Sequence, residues 1–233
     1  ASPVRQQGLI NTKVASYTRG EQLSLEVATD GLPQPTATRG FLANGATIDV
    51  LDLTQPSPTV IDSYSVPDCQ PLAMRYYHAA SGPHYLFIAG GAFGVRRLTL
   101  CPSLFLTQNP TACSPASYAD LVVQGPIESG YFERKRCVDV EILENATPPI
   151  LFALFAASSE SLAPTTPTEL RAYDLGNPAL PQIASLTFDA TPPGATVQVG
   201  TALAVDPADS DSIYVAMGKG GIWRVDLTGS AGA

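Results

Sequence analysis

The sequence predicts an all-β fold, arranged as a β-propeller of about four recognisable blades in a single domain, 1–233. Three observations predict it. Apolar runs are short and fenced by turn residues, proline and glycine are spread along the whole length, and one strand–turn–strand pattern recurs. Of 233 residues, 21 are proline and 19 glycine. Proline at that density excludes a helical bundle, because one in a helix interior costs about 3 kcal/mol. The longest uninterrupted apolar run, from Ile150 to Ala157, is far short of the roughly 20 residues of a membrane helix. No direct membrane span is expected.

The elements follow in order. Runs rich in Val, Ile, Leu, Tyr, Phe and Thr fall at 23–28, 46–52, 59–65, 72–77, 85–89 and 95–100. They resume at 138–143, 151–157, 169–174, 183–188, 202–206, 213–217 and 222–226. Each is bounded by Gly, Pro, Asn or Asp, the signature of strands joined by tight turns. The one helical candidate is Ser114–Val123, with Ser114 as N-cap and Pro115 at the first helical position.

The strands repeat. GATIDVLDLTQPSPTVIDSY, ELRAYDLGNPALPQIASLTF, GVRRLTL and GGIWRVDLTG share one grammar, a strand and then a turn. Leu53, Leu100, Leu175 and Leu227 mark equivalent points, 47, 75 and 52 residues apart. Periods near 40–50 residues with about four strands each are those of propeller blades, which stack to complete one another's core. The middle step is long because a cysteine-bearing loop, Pro102–Arg136, is inserted. The last unit contains only three strands. Gly8–Tyr17 (GLINTKVASY) either supplies the missing outer strand and closes the ring, or the open ends pair with another chain.

The first two of these segments resemble the LVIVD-type repeats of bacterial secreted and surface β-propellers. ALAVDPADSDSIYVAMGKGGIWRVDL resembles the blade pattern of BNR-like propellers, a strand ending in Asp-Pro before a polar turn. The S-x-D-x-G-x-x-W turn of sialidase-type repeats is not present. The resemblance implies a propeller and carries no particular activity with it.

A net charge of −8 argues against nucleic acid as a partner, since phosphate binding needs clustered Lys and Arg. The four cysteines, Cys69, Cys101, Cys113 and Cys137, contain no C-x-x-C pair. Disulfides fit them better than a zinc site, with Cys101–Cys113 the preferred pair. That usage points to an extracytoplasmic location: periplasmic, cell-surface or secreted.

Candidate chemistry is sparse. His78 and His84 flank one turn and read as solvated loop residues. The glycines of AGGAFG and MGKGG join strands, whereas a phosphate cradle needs a helix N-terminus behind it. Asp139 and Glu141 share one face of a strand whose other face carries Val138, Val140 and Ile142. On an innermost strand that polar face meets a central channel beside Arg75, an arrangement suited to acid–base work. No cofactor is expected, and Ca²⁺ on Asp206, Asp209 and Asp211 is the one candidate ion. Glu133, Arg134, Lys135 and Arg136 form the one basic cluster, suited to docking an acidic partner.

The expected function is therefore a non-catalytic exported propeller, an interaction and scaffolding subunit bound to other proteins in a larger assembly. The alternative is a channel-centred, metal-dependent hydrolase of lactonase-like type that uses Asp139 and Glu141. No small-molecule ligand is indicated.

Overall fold

The computed structural model describes residues 25–29, 38–54, 57–66, 71–78, 82–91, 94–106, 110, 112, 121–123, 135–156, 167–188, 199–206, 208–209 and 211–227. These form an all-β chain of four antiparallel sheets. Sheet 1 holds β1 (Leu25–Thr29), β2 (Thr38–Asn44), β3 (Thr47–Asp52) and β4 (Thr59–Ser65). Sheet 2 holds β5 (Ala73–His78), β6 (His84–Ala89), β7 (Val95–Leu100) and β8 (Leu121–Val123). Sheet 3 holds β9 (Arg136–Leu143), β10 (Ile150–Ala156), β11 (Thr168–Asp174) and β12 (Gln182–Phe188). Sheet 4 holds β13 (Ala202–Val205), β14 (Ser212–Ala216) and β15 (Ile222–Asp226). Within every sheet the spatial order follows the chain order, a plain up-and-down meander.

Two strands escape the sequence pattern. β2, TRGFLAN, interrupts its apolar run with Arg39 and Gly40, so its alternation does not read as a strand. β8 is built from the last three residues of the expected helix at 114–123. The other residues of that segment lie outside the described residues. The expected insertion at 102–136 thus contains sheet 2's own fourth strand, with a short 3₁₀ turn at Pro102–Phe105 ahead of it.

Three cores join successive sheets, because each sheet has an apolar face that it cannot bury alone. Phe41, Ile48 and Val50 of sheet 1 pack on Met74, Leu86 and Ile88 of sheet 2. Phe87 and Val95 meet Val140, Leu151 and Phe155 across the next junction. Phe152, Leu154 and Leu170 meet Leu203, Ile213 and Val215 across the third. Each such side chain contributes about 1.5–3 kcal/mol by leaving water. The first strands come together in series, β1 beside β5, β5 beside β9 and β9 beside β13. Gly91 bridges sheet 2 to Cys137 of β9, with a pair of backbone hydrogen bonds at 2.9 and 3.1 Å.

The loop after β7 is clamped by a buried arginine. Arg39, fully buried, donates through Nε to the Leu104 carbonyl and through Nη2 to the Leu106 carbonyl at 2.7 Å. Its Nη1 pairs with Asp52 Oδ1 at 2.7 Å. The guanidinium fork fits this role because its donors diverge in fixed directions.

Cys101 is disulfide-bonded. Cys137 carries a buried thiol that is not in a disulfide, which removes it from the expected set: it packs in the second core with its Sγ toward the Asp139 carbonyl at 3.6 Å. Cys69 and Cys113 lie outside the described residues.

Candidate active site

The adjacent first strands bring charge together where they meet. Glu26 of β1, Arg75 of β5 and Glu141 of β9 collect along this edge. Arg75 donates to Glu141 as a fork, Nε to Oε1 at 2.8 Å and Nη2 to Oε2 at 3.0 Å. Such bidentate contacts are the strong form of the ion pair. Arg75 Nη1 also lies 3.9 Å from Glu26 Oε2. Glu26 Oε1 accepts the Tyr76 backbone N–H at 2.9 Å. All three side chains keep some access to solvent: 19% for Glu26, 29% for Arg75 and 14% for Glu141.

The two glutamates stand in different surroundings. Burial pushes the Glu26 carboxyl up to about 7, more strongly than the Tyr76 N–H and Arg75 pull it down. Burial also opposes the Arg75 charge, but its hydrogen bonds to Glu141 outweigh that and hold the guanidinium above its ordinary range. Near neutrality Glu26 therefore holds its proton about half the time, while Glu141 faces a permanent cation.

Asp139 stays in electrostatic reach of Glu141 and Arg75, but its carboxylate takes other partners. A register shift in the β9–β10 pairing, between Leu154 and Phe155, breaks the alternation expected from the sequence. Val138 packs with the third core, whereas Val140 and Ile142 pack in the second. The Asp139 carboxylate accepts the Leu203 N–H at 2.6 Å and the Val140 N–H at 2.8 Å. Burial raises its pKa, and the two N–H donors work against that rise. Both oxygens are thus committed to backbone, and Asp139 ties β9 to β13. Glu26 was missed by the sequence reading, since it sits in an unremarkable strand and its partners are about fifty residues or more away.

The remaining candidates fall elsewhere. Asp206 and Asp209 each spend one oxygen on the N–H two residues on, at 2.9 Å. Asp209 also accepts from Ser212 Oγ at 2.5 Å, while Asp206 and Asp211 are exposed. No group of three His, Cys, Asp or Glu among the described residues is placed to hold a metal ion. Lys135 is buried, with its ammonium 3.4 Å from Glu169, and Arg136 opens β9. Glu133 and Arg134 lie outside the described residues. His78 and His84 are not solvated loop residues: their rings stack at 3.9 Å, and Phe105 covers the other face of His84 at 4.2 Å. Tyr76 Oη meets His84 Nδ1 at 2.5 Å. Burial, with His78 second, holds the His84 imidazole down to about 4.

No family model matches the chain, and no curated protein matches it in sequence. The resemblance to LVIVD-type and BNR-like repeats therefore gains no family behind it. Among solved structures, a GH43 β-1,3-galactosidase aligns over 88% of this chain and 46% of its own, at 10% identity and TM-score 0.48. An endo-1,4-β-xylanase from Bacteroides thetaiotaomicron aligns over 86% of this chain and 70% of its own, at 11% identity and TM-score 0.47. The chain thus spans less than half the length of the galactosidase. Both neighbours are described as glycoside-cleaving enzymes. The expected non-catalytic scaffolding subunit and its metal-dependent, lactonase-like alternative both find no counterpart in these two neighbours. The likeness is one of strand arrangement and supplies this chain with no substrate.

Proposed function

We propose that the four sheets are blades of a β-propeller and that the edge shared by their first strands is a hydrolytic acid–base site. Its substrate class is the acetal, that is, a glycosidic bond. Glu26 is the general acid that protonates the departing oxygen. Glu141 is the base or nucleophile that activates water or attacks the sugar carbon. Arg75 holds the two in place. The reading uses no metal ion.

The observation that carries it is the split between the two carboxyl groups on either side of Arg75. One is raised to about 7 by burial and the other is gripped by a guanidinium fork. Two carboxyl groups held in such unlike surroundings divide into acid and base roles. The chemistry of the site favours acetals over esters or amides. Acyl transfer builds an oxyanion that needs N–H donors aimed at it. Here the Tyr76 and Leu203 N–H groups are already bound to Glu26 and Asp139. An acetal passes instead through a cation-like transition state, which neighbouring carboxylates stabilise.

The test is release of nitrophenol from a panel of aryl glycosides, followed from pH 4 to pH 8. We expect turnover that declines as pH rises through about 7, where Glu26 loses its proton. Glu26→Gln and Glu141→Gln should each lower kcat by about 10²- to 10⁴-fold, with azide restoring rate only to a variant in which Glu141 is replaced by Ala. Absence of turnover across the panel, or full activity in Glu26→Gln, overturns the proposal.

A further inference from the structure

We infer that Lys135, Arg171 and Tyr173 form a binding site for a small monocarboxylate beside the second core. The inference does not depend on the acid–base reading, whose residues it does not use. Lys135 stands immediately before β9, while Arg171 and Tyr173 are both on β11. Tyr173 packs in the second core together with Phe155, and the Arg171 guanidinium lies over the Phe155 ring at 5.3 Å.

The charges there do not balance. Glu169 serves two cations: Arg171 Nε donates to Oε1 at 2.6 Å, and the Lys135 ammonium lies 3.4 Å from Oε2. The side chains of Lys135, Glu169 and Arg171 are only 6%, 14% and 17% exposed. Two positive charges thus share one negative charge largely out of water, where a charge is costly unless it is paired. One further negative charge completes the set, which fits a monoanion and not sulfate or phosphate.

Donors are left over at the same place. The Tyr173 hydroxyl is buried without a hydrogen-bond partner, on a residue 2% exposed. It neighbours Arg171, since each acts on the other's charge. Burial raises the Tyr173 pKa against the pull of Arg171, so near neutrality the hydroxyl keeps its proton and can donate. Burial opposes the Arg171 charge, and the hydrogen bond to Glu169 outweighs it. Among the described residues Arg171 donates only through Nε, which leaves both Nη groups. A planar pair of N–H donors matches the two oxygens of a carboxylate, and the tyrosine hydroxyl supplies a third donor.

The experiment follows thermal unfolding of the full chain in sodium acetate, sodium chloride or sodium sulfate, at fixed pH and ionic strength. Acetate should raise the midpoint along a saturating curve, as binding to the folded state requires. Chloride and sulfate should show no saturation. Tyr173→Phe removes only the hydroxyl. Without acetate this variant should be at least as stable as the parent, and its apparent affinity for acetate should be about tenfold weaker. Arg171→Lys keeps the charge without the planar pair and should abolish saturation. No saturable effect of acetate, saturation by chloride or sulfate at matching concentrations, or unaltered affinity in either variant overturns the inference. So does a Tyr173→Phe variant that is less stable than the parent without acetate, because the hydroxyl then already has a partner in the fold.

Discussion

The carboxylate of Asp139 accepts the Leu203 backbone N–H at 2.6 Å, and this contact joins the first strand of sheet 3 to the first strand of sheet 4. Glu26 makes the matching contact between sheets 1 and 2, with the Tyr76 N–H at 2.9 Å. Between them, Arg75 and Glu141 join sheets 2 and 3. The same edge is thus held by side chains at all three junctions, and Arg75 pairs with a carboxylate across two of them, closely with Glu141 and at 3.9 Å with Glu26.

Asp139→Asn keeps the shape of the side chain but turns one acceptor into a donor. Either the Leu203 or the Val140 N–H then faces an amide N–H in a site only 6% exposed. The variant should lose about 1–3 kcal/mol, the cost of a buried donor without an acceptor. An unchanged urea midpoint with an unchanged slope counts against this role.

Arg39 and Asp52 make a larger prediction. Replacing Arg39 with Met strands Asp52 and the Leu104 and Leu106 carbonyls together, so a loss of about 3–5 kcal/mol is expected. Arg39→Lys should rescue little, because a single ammonium cannot reproduce the divergent fork. Thermal unfolding of the two variants decides it, and a Lys variant equal to the parent would contradict the clamp.

Glu26 and His84 give opposite pH dependences over nearly the same range. Glu26 has a folded pKa of about 7 against 4.5 when free. The native state therefore holds the extra proton between those values, and its stability falls as pH rises from 4.5 to 7, by at most about 3 kcal/mol. His84 has a folded pKa of about 4 against 6.5. There the unfolded chain takes the proton first, and stability falls as pH drops from 6.5 to 4. The two slopes should largely offset each other in the parent. Glu26→Gln should leave a protein that weakens on acidification, and His84→Phe one that strengthens. Denaturant midpoints at half-unit pH steps would read this, and parallel curves for all three proteins would refute it.

Gly200 marks a close approach of backbone to core. A Cβ there would lie 2.7 Å from Thr168 Cγ2 and 2.9 Å from Leu154 Cδ2. Gly200→Ala should cost about 1–3 kcal/mol through overpacking. Thr168→Ser removes the offending methyl and keeps the hydroxyl that accepts the Gly200 N–H. The double variant should therefore be more stable than the two separate losses imply. Strict additivity would mean that the methyl is not the obstacle.

Much of the fold was legible in the residues alone. The recurring leucine endings, Asp-Leu after β3, β11 and β15 and Thr-Leu in β7, picked out the third strand of every sheet, because a strand that ends at a tight turn needs similar local chemistry each time. Period-two alternation located most of the rest, since it is set by the pleat and not by distant contacts. β2 stayed hidden because Arg39 is buried only through partners 13 to 67 residues away, and a sequence pattern cannot credit a charged residue with such partners in advance.

The candidate site divides along the same line. The placing of Asp139 and Glu141 on one strand, and of Arg75 on an equivalent strand, could be read locally. That Glu26 would join them, that Asp139 would spend both oxygens on backbone, and that the His78 and His84 rings would stack could not. Local alternation determines which side chains leave the apolar face of a strand. Which of them then meet, and in which protonation state, depends on how whole sheets pack, because burial and charge act through space and not along the chain.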